Sequence, residues 1–227
     1  MGDKDGWRRI GAGICLVGAP LVILVAMLVH AGLREGPAED ALETIRGASD
    51  RWFTGVVLGL VGFTLLIGAV LAVVHLCRRG GADGWGLVGG TVTIIGLSAV
   101  IAIQSLELLL WLMSRPGQNA VAMTALAADI DGSNRLALVY LVSLGFFVGF
   151  LILAYGLYRS QTTPGWVPAV LAVGVVAFGA GIIPGIDALD IIGAALMLIA
   201  LGYVGVQAFQ GTGAWDEASG EAAVPPG

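Results

Sequence analysis

Residues 85–113 read WGLVGGTVTIIGLSAVIAIQSLELLLWLM. The stretch holds no Lys, Arg or Asp, and it carries a single acid, Glu107, set well inside an apolar run. About 20 apolar residues cross the hydrocarbon core of a bilayer, so this segment spans with length to spare. The chain on either side of it is built the same way, as long apolar runs separated by short polar connections.

Composition agrees. Of 227 residues, 57% are hydrophobic and 12% charged, and the mean hydropathy is +0.92. A soluble domain carries about 25% charged residues, so there is too little polar surface here to coat a soluble globule. The net charge of −5 describes no surface, because the charges are confined to the connections. The eleven Lys and Arg are scattered over several segments, which excludes a basic nucleic-acid face. Cys15 and Cys77 make no disulfide framework. Both read as small apolar fillers, with acylation of Cys77 beside Arg78 and Arg79 as a weakly signalled alternative.

Six spans are expected, at about 10–31, 53–76, 86–113, 136–158, 166–183 and 188–209. The first apolar run, of about 21 residues, exceeds the roughly 7–15-residue core of a cleaved signal peptide and reads as a retained span. Pro20 lies inside it, which a membrane helix tolerates. Two polar connections, 32–51 and 114–134, each carry apolar residues at helical spacing. These are Ala38, Ala41, Leu42 and Ile45 in the first, and Ala122, Leu126 and Ile130 with Met123 and Ala127 in the second. Each reads as a short amphipathic helix, preceded by Pro37 or Pro116. A shift of 84 residues pairs Arg51 with Arg135 and Phe63 with Phe147, an internal repeat of layout more than of letters. Residues 1–209 are expected to form one transmembrane domain, and 210–227 a disordered acidic tail too poor in apolar surface to offset its ordering entropy.

An even number of spans puts both termini on one side. Lys4, Arg8, Arg9, Arg78, Arg79 and Arg159 face Arg34, Arg46, Arg51, Arg115 and Arg135 across the membrane. The first group abuts spans in short segments, which places both termini in the cytoplasm of a plasma-membrane protein. Trp7, Trp85, Tyr158 and Trp166 mark that interface, and Trp52 and Trp111 the other. Gly55-x-x-x-Gly59 and Gly145-x-x-x-Gly149 are small-residue patterns that let helices approach closely. They read as seams within the chain, although a second copy or another protein could dock through such faces. The expected partners are the bilayer and these protein contacts, with no nucleic acid.

Glu107 is the first candidate for chemistry. A charge at mid-membrane costs on the order of 3 kcal/mol. Glu107 lies six residues from the outer end of its span, roughly 9 Å, where the cost is smaller. Gln104, Glu107 and Trp111 share one helical face. That face meets either a polar pocket or an outer arginine, Arg51, Arg115 or Arg135. Asp187 and Asp190 open the last span, where helix capping explains them. With His30 at the same depth they could join Gln104, Glu107 and Trp111 in an outward-facing pocket. His30 and His75 end spans running in opposite directions and should stand about 30 Å apart, which disfavours a bis-histidine haem. Neither H-E-x-x-H nor C-x-x-C occurs, so no metal and no cofactor is expected. Asp129, Asp131, Ser133 and Asn134 lack the closing Glu of a calcium loop and read as turn and cap residues.

Arg8-Arg9 before a span containing Ala19-Pro20, the alanine-rich outer helix, the run HLCRR (75–79) and the turn YGLYRS…PGW (155–166) resemble small multi-spanning bacterial membrane proteins of unknown function. The resemblance covers about residues 7–209 and implies no activity. The expected fold is all-α: a polytopic bundle of six transmembrane helices with two short outer amphipathic helices. The expected role is a non-enzymatic accessory, sensor or small carrier protein with any polar site around Glu107. A proton- or cation-coupled transporter using Glu107, Asp187 and Asp190 is the alternative, and a membrane-embedded hydrolase or transferase the second.

Overall fold

A computed structural model describes residues 2–33, 38–131, 134–181, 187–212 and 215. Eight α-helices follow one another: α1 (Gly2–His30), α2 (Ala38–Gly47), α3 (Ser49–Arg79), α4 (Asp83–Met113), α5 (Ala120–Asp131), α6 (Asn134–Ser160), α7 (Trp166–Ala180) and α8 (Asp187–Gln210). No strand occurs among the described residues. The cause is the solvent: in lipid each unpaired N–H or C=O costs several kcal/mol, so apolar segments close their hydrogen bonds internally as helices.

Five helices, α1, α3, α4, α6 and α8, are long and apolar enough to cross a membrane. At 31 residues, α3 and α4 are each about 46 Å long and extend beyond a roughly 30 Å core at both ends. The expected first span also begins earlier than its apolar run, since α1 starts at Gly2. The expected fifth span corresponds to α7, which has 15 residues and a length of about 22 Å, short of the hydrocarbon thickness. Gly179 and Gly181 weaken its last turn, and the Pro184–Gly185 break expected to follow lies outside the described residues. Among the described residues there are therefore five helices of spanning length and one shorter apolar helix, so the expected count of six is approximate.

The long helices alternate in direction. Gly80 after α3 rests on Ser160 at the end of α6, Trp85 packs on Tyr155 with centroids 4.8 Å apart, and Trp166 packs on Tyr203 at 5.0 Å. One end of the bundle thus gathers the start of α1, α4 and α7 with the end of α3, α6 and α8. It carries Arg8, Arg9, Arg78, Arg79 and Arg159. Trp7, Trp85, Tyr158 and Trp166 are exposed there, as an interfacial belt requires. The opposite end differs from the expected belt. Trp52 is buried and Trp111 half-buried, packed with Leu33, Ile45 and Val56 in a second apolar cluster. The helix α2 closes this cluster by burying Leu42 and Ile45 while Glu43 and Arg46 face out. The helix α5 leaves Val121 and Leu126 exposed, so these two side chains are not covered by the described residues. The expected opening residue of α2, Pro37, lies outside the described residues.

The main core is a column of buried side chains from α1, α3, α4, α6, α7 and α8, with Phe63, Phe146, Phe150 and Phe178 at its centre. Apolar side chains such as Leu71, Leu87, Ile95, Leu141 and Ile199 point outward, as a lipid-facing surface demands. Glycines set the distance between helices. A Cβ on Gly96 of α4 would strike the backbone of Phe146 in α6, and one on Gly149 would strike that of Thr93. The Gly145–Gly149 pattern is therefore a seam inside the chain, where close backbones gain dispersion contacts that lipid does not supply. Gly55 and Gly59 work differently. Gly55 makes room for the His30 ring and Gly59 for the Gln104 amide, so this pattern admits side chains instead of a backbone. Cys77 is fully buried against Gly86 and Gly156, which removes the acylation alternative, because no acyl chain fits there.

Adding one methyl group tests the seam. We expect Gly96→Ala to lower stability by about 1–3 kcal/mol through overpacking, whereas Gly18→Ala, with open space at its Cβ, leaves the detergent unfolding midpoint unchanged or slightly raised. Equal midpoints for the two variants would contradict a backbone-tight α4–α6 contact.

Candidate functional site

The α4–α6 seam runs antiparallel, with Gly89, Thr93 and Gly96 facing Leu153, Gly149 and Phe146. Beyond Gly96 the two helices carry larger side chains and a cavity of about 310 Å³ opens between them. Gln104 and Glu107 of α4, Tyr140 and Ser143 of α6, and Asp190 of α8 supply its polar groups. Phe63, Phe146, Phe147 and Phe178 wall it on the other sides, with Met27 of α1. Two carboxylates, a phenol, a hydroxyl and an amide thus share one aromatic chamber.

Local structure explains each position. Asp190 lies in the first turn of α8, where the helix N-terminus favours negative charge. It is buried, and it rests against Gly181, the residue that ends α7, where a Cβ would collide with its carboxylate. Gln104 is buried over the bare Cα of Gly59, and its Nε2 has no hydrogen-bond partner among the described residues. Ser143 donates to the Tyr140 carbonyl at 2.7 Å, one turn back along α6. The Glu107 backbone carbonyl accepts from the Trp52 indole at 3.4 Å, tying α4 to α3 beside the cavity.

Two expected site residues, Trp111 and His30, do not line this cavity. Trp111 shares the helical face of Gln104 but lies two turns further on, past the end of the cavity. There its indole donates to Ser49 Oγ at 2.8 Å, its ring stacks near Phe53 at 4.6 Å, and the Arg115 guanidinium covers it at 4.3 Å. His30 is buried, but Gly55 leaves a space toward α3 that its ring fills. Its Nε2 lies 3.3 Å from the Trp52 carbonyl, and the His30 and Trp52 rings are 5.1 Å apart. The Asp187 side chain lies outside the described residues. Of the arginines weighed as partners of Glu107, Arg51 donates to the Val29 and Ala31 carbonyls at 2.6 Å each and so caps α1, and Arg115 covers Trp111. The Arg135 side chain lies outside the described residues. Tyr140 and Ser143 were not singled out from sequence. Their signal was there: two polar residues one turn apart in the expected outer half of span four, on the helix that Gly145 and Gly149 press against α4.

In chemical terms the cavity is rich in acceptors. Carboxyl groups and the negative faces of phenylalanine rings are the kinds of group that attract a cation. Among the described residues no three His, Cys, Asp or Glu gather as a metal site would require.

No curated protein and no solved structure matches the chain. One family model does, over residues 11–211, from the first turns of the α1 span to the end of α8. The chain therefore belongs to the family described as Domain of unknown function (DUF4386).

Proposed function

We propose that the protein is a small carrier of the plasma membrane that takes a proton or a small organic cation into the cavity between α4, α6 and α8. The observation that supports this most is that Glu107 and Asp190, from distant parts of the sequence, line one aromatic-walled chamber. Its volume of about 310 Å³ is at the lower end of the range of small-molecule sites. Tyr140, Ser143 and Gln104 would orient the ligand, and the carboxylates would hold its charge. We place both termini in the cytoplasm, following the arginine-rich end, so the cavity lies in the outer half of the membrane.

Two experiments test this. With tetraethylammonium as probe, calorimetry on the detergent-solubilised protein should give saturable binding. We expect Glu107→Gln and Asp190→Asn each to weaken it by roughly tenfold or more, the size of a lost charge contact in a desolvated site. Unchanged affinity in both variants, with both still folded, removes the carboxylates from the site. For orientation, Glu43 is exposed on α2. A cysteine placed there by Glu43→Cys, with Cys15 and Cys77 changed to Ser, should react with an impermeant maleimide from outside intact cells. Reaction only after permeabilisation reverses the topology.

A further inference from the structure

The basic end of the bundle holds a larger pocket, about 700 Å³, between α1 and α3. Its polar lining is Arg8, Arg9, Arg79, His75, Trp215 and Cys15, and no carboxylate among the described residues lines it. Gly11, Ala12, Gly68, Leu71 and Ala72 form its apolar wall. A second groove, about 320 Å³, shares Leu71 and His75 and lies on the α4 side of α3, with Arg78 at its mouth and Val74, Leu87 and Ile94 along it. Two apolar grooves thus flank the Leu71–His75 ridge, and both lead to arginines.

The first pocket is a built feature. The segment after α8 turns at Gly211, whose φ of +65° suits glycine, and a Cβ there would strike the Arg9 guanidinium. Thr212 donates to the Gln207 carbonyl at 3.1 Å, and Trp215 to that of Thr212 at 3.3 Å. This brings Trp215 onto the His75 ring, with centroids 5.9 Å apart and planes 28° from parallel. Trp215 is only 8% exposed, so the tail expected to be disordered from residue 210 is anchored at this point. Residues 213–214 and 216–227 lie outside the described residues. The Trp215 Nε1–H and the Arg9 Nε–H are both buried without a hydrogen-bond partner among the described residues.

An indole N–H and a guanidinium can only donate. Burying such donors unpaired costs free energy, so the pocket is suited to a group that brings acceptors and negative charge. Phosphate does both, and Arg holds it in bidentate geometry. The apolar grooves lead from the arginines into the spans, at the level marked by the exposed Trp7, Trp85 and Tyr158. We infer that this end of the protein binds the phosphate of an anionic diacyl phospholipid, with Arg8, Arg9 and Arg79 on the headgroup and one acyl chain in each groove beside Leu71. The site is separate from the carboxylate cavity and does not depend on what that cavity binds.

The test uses the full chain in detergent, titrated with phosphatidylglycerol, phosphatidylcholine or inorganic phosphate, with bound lipid counted by native mass spectrometry. Phosphatidylglycerol should bind in preference to phosphatidylcholine. Changing Arg8, Arg9 and Arg79 together to Gln should weaken it by roughly 100-fold, at about fivefold per arginine. Arg115→Gln, at the opposite end, should leave it unchanged. If the triple variant does not fold, Arg8→Gln alone serves, because Arg8 is exposed, and the fivefold loss is still expected. Equal retention of the two lipids, or no loss in the arginine variants, overturns the site. Inorganic phosphate binding as tightly as the lipid overturns the acyl-chain contribution and identifies a free-anion site.

Discussion

The approach of α4 to α6 at Gly96 is the constraint on which the rest of the molecule depends. A side chain at that point would meet the Phe146 backbone, so the two helices touch main chain to main chain. In lipid there is no water to expel between helices, and what holds them together is dispersion between closely apposed atoms. Such contact is rigid, and it fixes what lies beyond it. Eight and eleven residues further along α4 stand Gln104 and Glu107. Three and six residues back along α6 stand Ser143 and Tyr140. The cavity therefore opens where the glycines stop, and its polar residues face one another because the seam sets their register.

Much of this was legible in the sequence because membrane helices announce themselves by composition. The bilayer allows few backbone solutions, so the long apolar runs could only be helices, and charged or glycine-rich ends marked where each one stops. The short helix α2 was equally readable, from Leu42 and Ile45 at helical spacing. The convergence of Glu107 and Asp190 could be proposed from their common depth. The departures have a single cause. Where a polar side chain goes depends on space left by another helix, and spacing along one helix does not reveal that space. His30 turns to α3 because Gly55 is bare, and Gln104 settles over Gly59 for the same reason. Trp111 has the right angle for the cavity and the wrong height. Trp52, placed by composition at a lipid interface, is drawn inside by Leu33 and Ile45, which close over it.

The tail shows the limit of composition most clearly. Its small and acidic residues argue for disorder as a class, and one indole among them is enough to break the rule locally. Trp215 brings a large apolar surface to a groove already present beside His75. Average polarity over eighteen residues says nothing about a single anchor. The same indole completes the wall of the basic pocket, so an anchoring contact and a binding surface rest on one residue.

The short helix α7 has a consequence of its own. It ends at Gly181, against the Asp190 carboxylate, after covering only about 22 Å of a hydrocarbon layer near 30 Å. A bilayer meets such a mismatch by thinning around the short element. Thinning on that flank would bring the headgroups nearer to Asp190 than to the polar groups on α4 and α6. The depth of the cavity's two carboxyl groups is in this way unequal with respect to the lipid, and lipid chain length becomes a variable that acts on one of them first.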